Sequence, residues 1–562
     1  MTGVGFEDIV RLVAVTAVEQ RAAWDALDAA VGDGDFGTTM HRGFAAVLDA
    51  WPELDRGTPA DLLTGVAQVL SRVTGGSSGP LWTVGVLRAA DAVRPGLSVA
   101  SVGAALRAAA AGVGEYGGAK PGDKTLLDAL VPAADAVLAL AAAAPPEAAR
   151  AAARAAALAA QRGAAQTAGY PARRGRAAYA GTRAIGQVDP GAVAVATLAT
   201  AVANRLGAAL DLPAFAPAAA GGPGAEPDPA ATKQFINDPA DAVTESLEGY
   251  ALAFGDLVVW EPADRIVRRR VPSPGKVGLV SGGGSGHEPL HAGFVGAGML
   301  DAVAPGPVFA SPTVHQALAA TLAADGGAGV VQLVKNYTGD LINFGIAAEF
   351  AAARGVDVRR VVISDDIGID PVQHDVGRRG TGATVLVEKI AGAAAQAGEP
   401  IAAVAEVAAE VVRRTRSFGI ALGSCSPPGR SPILSLGPDE IEIGVGIHGE
   451  RGRRRARHQP SDELVRTGTD ALLASLAPPP GTELLVMVSG LGATTLLEHY
   501  VVYRALVAEL AAAGHQVTRR LVGPYLTALN MPGIVLTVAV LDERLRQLWD
   551  APVLTAGLRW GR

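Results

Sequence analysis

The chain has 562 residues, 49% of them hydrophobic and 18% charged, with a formal net charge of -7 at pH 7. This acidic balance excludes a general attraction to nucleic acid, and a single cysteine, Cys425, excludes an internal disulfide and a cysteine-bound metal cluster. Since the chain also lacks an uninterrupted apolar stretch of about 18 residues and a secretory layout at its N-terminus, we expect a cytoplasmic protein with no membrane contact.

The first domain is predicted to be all-α and to span residues 1–212. Its sequence is rich in alanine and leucine, as in VRLVAVTAVEQRAAWDALDAA and AVATLATAVANRLGAAL. These residues favour helix, and no β-branched run of strand length interrupts them. A chain of this length has room for further domains, each with its own core.

An acidic, glycine-rich stretch, LDAAVGDGDFGTTMHRG, lies early in this domain and brings Asp28, Asp33 and Asp35 close together. Carboxylate oxygens in such a group suit a hard cation such as Mg²⁺. An EF-hand loop is excluded, because it would require an acid at Gly37 and a glycine at Thr38. Because Asp-x-Asp in a turn is also typical of a capped loop, the pattern leaves a metal site and a capped turn open.

A linker is predicted at residues 213–231, where PAFAPAAAGGPGAEPDPA is too poor in bulky apolar residues to form a core. The remainder, 232–562, is predicted to be an α/β domain. Helical runs such as HQALAATLAAD alternate there with short apolar runs, which indicates a parallel sheet with crossover helices. The predicted strands are KVGLV (276–280), VVQLV (330–334), VVIS (361–364), LLVMV (484–488) and IVLTVAVL (534–541).

A glycine-rich run, SGGGSGHEPLHAGF, follows KVGLV directly and is predicted to be a loop. A phosphate-binding loop would end in Gly-Lys-Ser/Thr, whereas this run reaches His287. The next two predicted strands are followed by Lys335 with Asp340 and by the pair Asp365-Asp366. Because the carboxyl ends of parallel strands form the ligand crevice of an open α/β sheet, we expect these groups to converge on a small polar ligand.

A second histidine, His448, follows an alternating apolar strand in EIEIGVGIHGE. Such a residue is compatible with a structural role or with a nucleophile oriented by a neighbouring acid, for which Glu442 and Glu450 are candidates. The basic run RGRRRARH that follows, from Arg451, has no interleaved aromatics. We therefore expect a solvated loop there rather than a nucleic-acid site.

Three motifs, SGGGSGHEPLHAGFVGAGMLDAVAPGPVFASP, VKNYTGDLINFGIAAE and IEIGVGIHGE, resemble the sugar-binding subunit of dihydroxyacetone kinase, and the resemblance extends in order from Lys233 to TALNMPG. It implies that His448 captures the ketone carbonyl as a covalent hemiaminal, with His287 and Asp340 as further catalytic groups. GRRGTGATVLVEKIAG resembles the segment that closes the first of two subdomains, expected at about 232–415 and 416–562. The implied substrate contacts are Gly284, Ser285, Gly286, His287, Lys335 and Asp340.

The first domain contains TGGSSGPLW, KPGDKTLLDAL and GRAAYAGTRAIGQVDPGA, which resemble the nucleotide-binding subunit of the same kinases, an antiparallel barrel of helices. The resemblance implies that Asp28, Asp33 and Asp35 hold Mg²⁺ ions that bridge the phosphates of ATP. The implied nucleotide contacts are Asp35, Phe36, Gly37, Thr38, Ser77, Ser78, Gly117, Thr125, Leu126, Arg176, Asp189, Pro190 and Gly191.

These resemblances lead us to expect an ATP-dependent dihydroxyacetone (glycerone) kinase that acts as a homodimer. Phe36 stands where the form that uses a phosphocarrier protein has histidine, so no phosphocarrier partner is expected. The domain order is unusual, because the nucleotide domain comes first. The expected linker would let the two domains meet within one chain or across a dimer.

Other functions stay open at this point. Ser489-Gly490 replace two asparagines of the family, which makes erythrulose or another four-carbon ketose a competing substrate. A kinase-like regulatory binding protein would not need both the aspartates and the histidines. A fatty-acid kinase would lack SGGGSGHEP and GIHGE. An additional activity that cyclises FAD is compatible with the sequence.

Overall fold

The structure is a computed structural model that describes residues 4–30, 34–141, 148–174, 178, 184–215, 233–369, 377–430 and 432–561. The chain divides into two compact units, Met1–Pro223 and Gly224–Arg562. The division falls inside the predicted linker, most of which lies outside the described residues. Across the described residues, no helix combines the length and the apolar character that a membrane crossing needs.

The first unit contains helices and short 3-10 turns such as Thr167–Gly169, and its described residues form no strand, as predicted. Side-chain caps begin several helices: Thr58, Ser98 and Asp189 each accept a backbone N–H of the first turn. The barrel arrangement stays a prediction. The helices are α1 Phe6–Glu19, α2 Arg21–Ala29, α3 Phe36–Asp49, α4 Pro59–Val73, α5 Ser78–Val93, α6 Val99–Gly117, α7 Leu127–Ala141, α8 Ala148–Gln166 and α9 Pro190–Arg205.

The second unit begins with a six-stranded sheet in the order β1-β2-β4-β3-β5-β6. Its strands are β1 Val258–Glu261, β2 Ile266–Arg269, β3 Gly278–Ser285, β4 Ala302–Val308, β5 Val330–Lys335 and β6 Val358–Ile363. The helices of this part are α10 Ala242–Ala253, α11 Val314–Ala324, α12 Thr338–Ala352, α13 Ala383–Gln396 and α14 Ile401–Arg413.

A second six-stranded sheet follows, in the order β11-β10-β12-β7-β8-β9. Its strands are β7 Thr415–Ala421, β8 Glu440–Ile443, β9 Arg454–Arg457, β10 Glu483–Gly490, β11 Gln516–Gly523 and β12 Gly533–Val540. The accompanying elements are α15 Ser461–Leu476, α16 Leu496–Ala512, α17 Glu543–Asp550 and a hairpin of β13 Val553–Leu554 with β14 Arg559–Trp560. One apolar core contains side chains from both sheets.

The predicted α/β class is confirmed, but both sheets are mixed rather than purely parallel. In the first sheet β4, β3, β5 and β6 run parallel, while β1 and β2 form an antiparallel edge. In the second sheet only β10 and β11 are parallel neighbours. A strand buried on both faces reads as a continuous apolar run in either direction, so the pattern could not reveal strand direction.

The glycine run belongs largely to β3 and not to a loop, which corrects the sequence prediction. Residues Ser281–Ser285 pair with β4 on one side, and the start of β3 pairs with β5 on the other. A Cβ on Gly282 would lie 2.5 Å from the carbonyl oxygen of Ala304, and one on Gly284 would lie 2.8 Å from Cα of Phe309. These glycines therefore allow close backbone packing within the strand.

Candidate active site

His287 lies directly after β3 and is fully buried. Its Nδ1–H donates to the carbonyl oxygen of Thr527 at 2.7 Å, and its ring stacks on Phe309 with centroids 5.0 Å apart. Burial, reinforced by the nearby His448 and Lys335, holds the pKa of His287 well below its usual value. His287 is therefore a neutral imidazole, and its buried Nε2 has no hydrogen-bond partner among the described residues.

His448 lies in the loop between β8 and β9, beside His287. The two ring centroids are 4.8 Å apart, and the rings of Phe309 and Tyr337 lie 5.3 Å and 4.7 Å from that of His448. Glu450 receives the His448 backbone N–H at 3.0 Å and its Nδ1–H at 2.8 Å. Because this contact commits Nδ1, the lone pair on Nε2 of His448 is available for chemistry.

The two acids that bracket His448 have different roles. Glu450 is the partner of the imidazole, and although burial acts to raise its pKa, His448 and Arg379 outweigh burial and hold the pKa well below the usual range. Glu442 instead accepts the backbone N–H of Gly452 at 2.9 Å and lies 3.5 Å from Arg455. Glu450 is thus the acid that fixes the tautomer of His448.

The pair Asp365-Asp366 supports this arrangement and has structural partners. Asp366 accepts the Nε–H of Arg379 at 2.7 Å, and Arg379 also lies 3.9 Å from the carboxylate of Glu450. Burial raises the pKa of Asp366 to about 6, despite the opposing charge of Arg379. Asp365 accepts the backbone N–H groups of Thr381 and Ala383, at the start of α13. Asp366 is therefore linked to the site through Arg379 and Glu450, and its predicted direct role at the ligand crevice stays a prediction.

Lys335 ends β5 and points its buried ammonium at the glycine run. Its Nζ donates to the carbonyl oxygen of Gly282 at 3.2 Å and lies 4.0 Å from Oδ2 of Asp340. A Cβ on Gly283 would overlap Nζ, so glycine at this position makes room for the lysine. Burial lowers the pKa of Lys335, while the charges of Asp340 and Glu388 oppose that shift.

The remaining predicted ketose contacts lie in the same place. Ser285 donates its hydroxyl to the carbonyl oxygen of Gly306 at 2.7 Å, and Gly286 donates its N–H to the carboxylate of Glu288 at 3.0 Å. Gly286 has a φ of +100°, and a Cβ there would lie 2.9 Å from the ring of Phe309. The structure thus brings the predicted residues of β3, β5 and the His448 loop together.

Ser489 and Gly490, which the sequence singled out, lie at the end of β10. The hydroxyl of Ser489 accepts the backbone N–H groups of Tyr525 and Leu526 at 3.1 Å and 2.9 Å, and donates to the carbonyl oxygen of Leu526 at 3.0 Å. Because Thr527 is the next residue and bonds His287, Ser489 fixes the segment that orients this histidine.

In the first unit, the described part of the acidic stretch is organised around backbone amides. Oδ2 of Asp28 accepts the N–H groups of Asp35 and Phe36 at 3.0 Å and 3.3 Å. Thr38 donates its N–H and its hydroxyl to Asp25, both at 2.8 Å. Asp33 lies outside the described residues, among which no group of three metal-ligating side chains is found. Asp28 and Asp35 are nevertheless neighbours through the hydrogen bond from the Asp35 N–H to Asp28, and carboxylate oxygens are the type of ligand that a hard cation takes.

The other predicted nucleotide contacts lie at helix ends. Asp189 caps α9 by accepting the N–H of Ala192 at 2.7 Å, with Pro190 as its first residue, and a Cβ on Gly191 would lie 3.2 Å from Cβ of Leu126. Burial raises the pKa of Asp189 to about 7, and the charges of Asp128 and Asp28 add to the shift. Ser77 and Ser78 begin α5, Gly117 ends α6, Thr125 donates its N–H to Asp128, and Arg176 lies outside the described residues.

Sequence reasoning missed four residues of this site, namely His291, Glu388, Arg379 and Thr527. Each acts through a partner far along the chain, such as Thr527 with His287, 240 positions apart, and Glu388 with His291, 97 positions apart. Glu388 and Arg379 stand inside GRRGTGATVLVEKIAG. The signal that could have identified Glu388 is the charged pair Glu388-Lys389 in the apolar helical segment ATVLVEKIAG.

Comparison with known families and proteins places both units. The Dak1 domain matches residues 248–557 and the DAK2 domain matches residues 30–204. The dihydroxyacetone-binding subunit of the PEP-dependent dihydroxyacetone kinase of Escherichia coli is 39% identical over 355 residues, which cover 59% of this chain and all of that subunit. Human triokinase/FMN cyclase is 41% identical over 333 residues, 58% of each chain. The match thus spans little more than half the length of this fused relative.

Two solved structures are similar to the chain. The dihydroxyacetone kinase of C. freundii in complex with AMP-PNP and Mg²⁺ has a TM-score of 0.53 and 37% identity, over 58% of this chain and 61% of that one. A dihydroxyacetone kinase operon co-activator has a TM-score of 0.54 and 31% identity, over 57% of this chain and 98% of that one.

Proposed function

Because this chain belongs to the dihydroxyacetone kinase family and is a kinase-like phosphotransferase, we propose that it transfers the γ-phosphoryl group of ATP to a short-chain ketose. Dihydroxyacetone is the substrate we propose first, and erythrulose or another four-carbon ketose is the alternative. Likeness to the operon co-activator alone would also permit a ketose-sensing role. The DAK2 domain at residues 30–204 favours an enzyme.

One observation carries this proposal: two imidazoles lie side by side, and each uses its Nδ1–H in a hydrogen bond to the protein. This leaves Nε2 of each ring for reaction with the substrate. His448 gives its Nδ1–H to Glu450, and His287 gives its Nδ1–H to Thr527. A small hydroxyketone has little apolar surface to bury. Covalent capture of its carbonyl would supply the missing affinity and would reject glycerol, which has no carbonyl.

In the proposed first step, Nε2 of His448 attacks the ketone carbon, and the carbonyl π electrons pass to oxygen. Glu450 stabilises the positive charge that develops on the imidazole and can accept its Nδ1 proton. The ammonium of Lys335, which ends β5 of the first sheet, supplies positive charge to the developing alkoxide and a proton to convert it to a hydroxyl. The product is a hemiaminal that leaves the terminal hydroxyl of the ketose exposed for transfer.

In the proposed second step, a base takes the proton of that terminal hydroxyl while its oxygen attacks the γ-phosphorus. His287 is suited to this task because its Nε2 is unprotonated and buried, and Asp340 is the alternative base. The leaving group is ADP. Phosphoryl transfer depends chiefly on positioning and charge neutralisation, which explains why the ketose side needs a rigid, buried set of polar groups.

The nucleotide would bind to the first unit. Asp28, Asp33 and Asp35 would hold Mg²⁺, whose charge neutralises the phosphate oxygens. Ser77 and Ser78, at the N-terminus of α5, would donate N–H groups to phosphate oxygens. Thr38 would contact them only by giving up its bonds to Asp25. Leu126 and Gly191 pack side by side and would line the adenosine site.

The proposal is tested with purified full-length chain, ATP, Mg²⁺ and a panel of short ketoses. We expect ketose-dependent release of ADP without any phosphocarrier protein. Asp28→Asn should lose turnover by about 100-fold or more and keep its calorimetric affinity for dihydroxyacetone. A strict requirement for an added phosphoprotein, or an Asp28→Asn variant with wild-type kcat, would contradict the proposal. Binding of ketose without any ADP release would favour the sensing role.

A further inference from the structure

A chain of three buried ionisable side chains lies beneath the glycine run. Lys335 Nζ lies 2.6 Å from Nε2 of His291, and Nδ1 of His291 lies 2.7 Å from Oε1 of Glu388. All three side chains are buried almost completely. They come from different elements, since Lys335 ends β5, His291 follows β3 and Glu388 lies in α13.

The proton positions in this chain follow from a fourth residue, Ser281. Its hydroxyl donates to the carbonyl oxygen of Leu333 at 2.8 Å and also lies 3.1 Å from Nδ1 of His291. Because the serine proton is already used, Ser281 can only accept there, so the imidazole carries its proton on Nδ1. Nε2 of His291 then accepts from the Lys335 ammonium, and Glu388 is the carboxylate that receives Nδ1–H.

The same three groups have a second arrangement with an equal number of protons. If Lys335 passes a proton to Nε2 of His291 while Nδ1 passes its proton to Glu388, the result is an amine, the other imidazole tautomer and a carboxylic acid. Net charge is zero before and after. Burial lowers the pKa of Lys335 and raises the pKa of Glu388, so it reduces the free-energy cost of passing from the charged arrangement to this neutral one.

From this geometry we propose that His291 and Glu388 are positioning residues that act as a proton relay for Lys335. The relay lets the lysine change between ammonium and amine inside the protein, without exchanging a proton with solvent. The inference rests on the proposed function, in which Lys335 gives a proton to the ketose oxygen. His291 and Glu388 need not touch the ketose.

The relay has a consequence for the pH dependence of the reaction. The charged or titratable groups around Lys335 are Asp340 from α12, Glu388 from α13, and His291 and His287 from the segment after β3. Removing the negative charge of Glu388 destabilises the ammonium, so Lys335 loses its proton at lower pH. The high-pH decline of kcat/KM should then begin about one to three pH units lower.

The test compares two substitutions of the same residue. Glu388→Gln keeps the shape and can still accept Nδ1–H, but it can neither balance charge nor take a proton. Glu388→Asp keeps the charge and alters the length. The relay predicts that Gln lowers kcat/KM about 10- to 100-fold, the range seen when a partner that orients a metal-bound histidine is removed, and shifts the high-pH decline, whereas Asp keeps the wild-type decline.

Lys389 provides the matched control, because it is the next residue of α13 and is also buried. Its Nζ donates to the carbonyl oxygen of Leu548 at 2.8 Å, away from the relay. Lys389→Gln should lose thermal stability to a similar extent as Glu388→Gln, but its kcat/KM should decline at the same high pH as that of wild type. A Glu388→Gln variant with a wild-type profile, or one that outperforms Glu388→Asp, would overturn the relay.

A spectroscopic measurement decides the matter independently of turnover. In ¹⁵N-histidine NMR of the wild-type chain at pH 7, the signal lost in His291→Asn should be a neutral imidazole protonated on Nδ1. An imidazolium or the Nε2–H tautomer would overturn the relay. If the chain phosphorylates no ketose, wild type and Lys389→Gln are inactive too, which marks a failure of the proposed function, while the NMR result still tests the relay.

Discussion

The two units bury ionisable side chains to different extents. The core of the helical unit consists largely of alanine, valine and leucine. The helical unit also buries Asp123, Lys124 and Asp128. The α/β unit buries more ionisable groups, in connected sets of which one lies around Lys335 and another around Arg379. A nucleotide with its cation brings strong charge of its own, whereas a small ketose brings almost none. Under the proposed function, the α/β unit supplies more of the fixed charge itself because its ketose ligand carries almost none.

The largest effect that would sharpen this comparison is expected at His448. His448→Ala should lower kcat/KM for ketose about 10⁴-fold, the scale of disabling a catalytic imidazole, because the neighbouring His287 is proposed as the base for the hydroxyl proton and does not replace the nucleophile. Binding of AMP-PNP to the same variant, measured by calorimetry, should be unchanged since the first unit is intact. A variant that keeps wild-type kcat/KM would remove the hemiaminal step and leave His448 a structural role.

The next effect concerns the buried pair of Arg379 and Asp366, which is 0% and 2% exposed. Arg379→Met leaves two carboxylates, Asp366 and Glu450, without their cation and should cost about 3–5 kcal/mol of unfolding free energy. The double variant Arg379→Met/Asp366→Asn should recover part of that loss. Hydrogen exchange followed by mass spectrometry should show faster exchange in the second unit only. Equal loss in the single and double variants would contradict a charge-based explanation.

A smaller effect is expected at Ser489. Ser489→Ala leaves the backbone N–H groups of Tyr525 and Leu526 without their acceptor, at a cost of about 1–3 kcal/mol. Because Thr527 holds His287, ketose affinity should also fall. Ser489→Thr keeps the hydroxyl and serves as the control. If Ser489→Ala is stable but accepts erythrulose better than dihydroxyacetone, the residue acts on substrate range instead.

The last effect is the contribution of His287 to the pH dependence of the free energy of unfolding. Its pKa is lowered in the folded state, so below about pH 6.5 the unfolded chain binds a proton that the folded chain does not. The stability advantage of wild type over His287→Asn should therefore shrink as pH falls from 7.5 to 5, by up to about 1.4 kcal/mol per pH unit. Urea denaturation at several pH values measures it. An advantage that grows on acidification would mean a charged His287 in the fold.

The sequence predicted those elements whose signal lies within a short stretch of residues. Alanine-rich helices and the apolar runs at β3, β5, β6, β10 and β12 were recognisable. Strand β4 was not, since APGPV contains two prolines and a glycine and resembles a loop. The partners of buried charges were also beyond reach, because Arg379, Glu388 and Thr527 acquire their roles only when distant segments pack together.

Gly490 has a consequence for which substitutions this protein tolerates. A Cβ at residue 490 would overlap the imidazole of His499, which lies fully buried in the first turn of α16. The two positions are therefore an epistatic pair: a side chain is tolerated at 490 only after residue 499 has become smaller. Introducing asparagine at 490 first creates this overlap, whereas shortening residue 499 first avoids it, so the order of the two substitutions decides which mutational path is open.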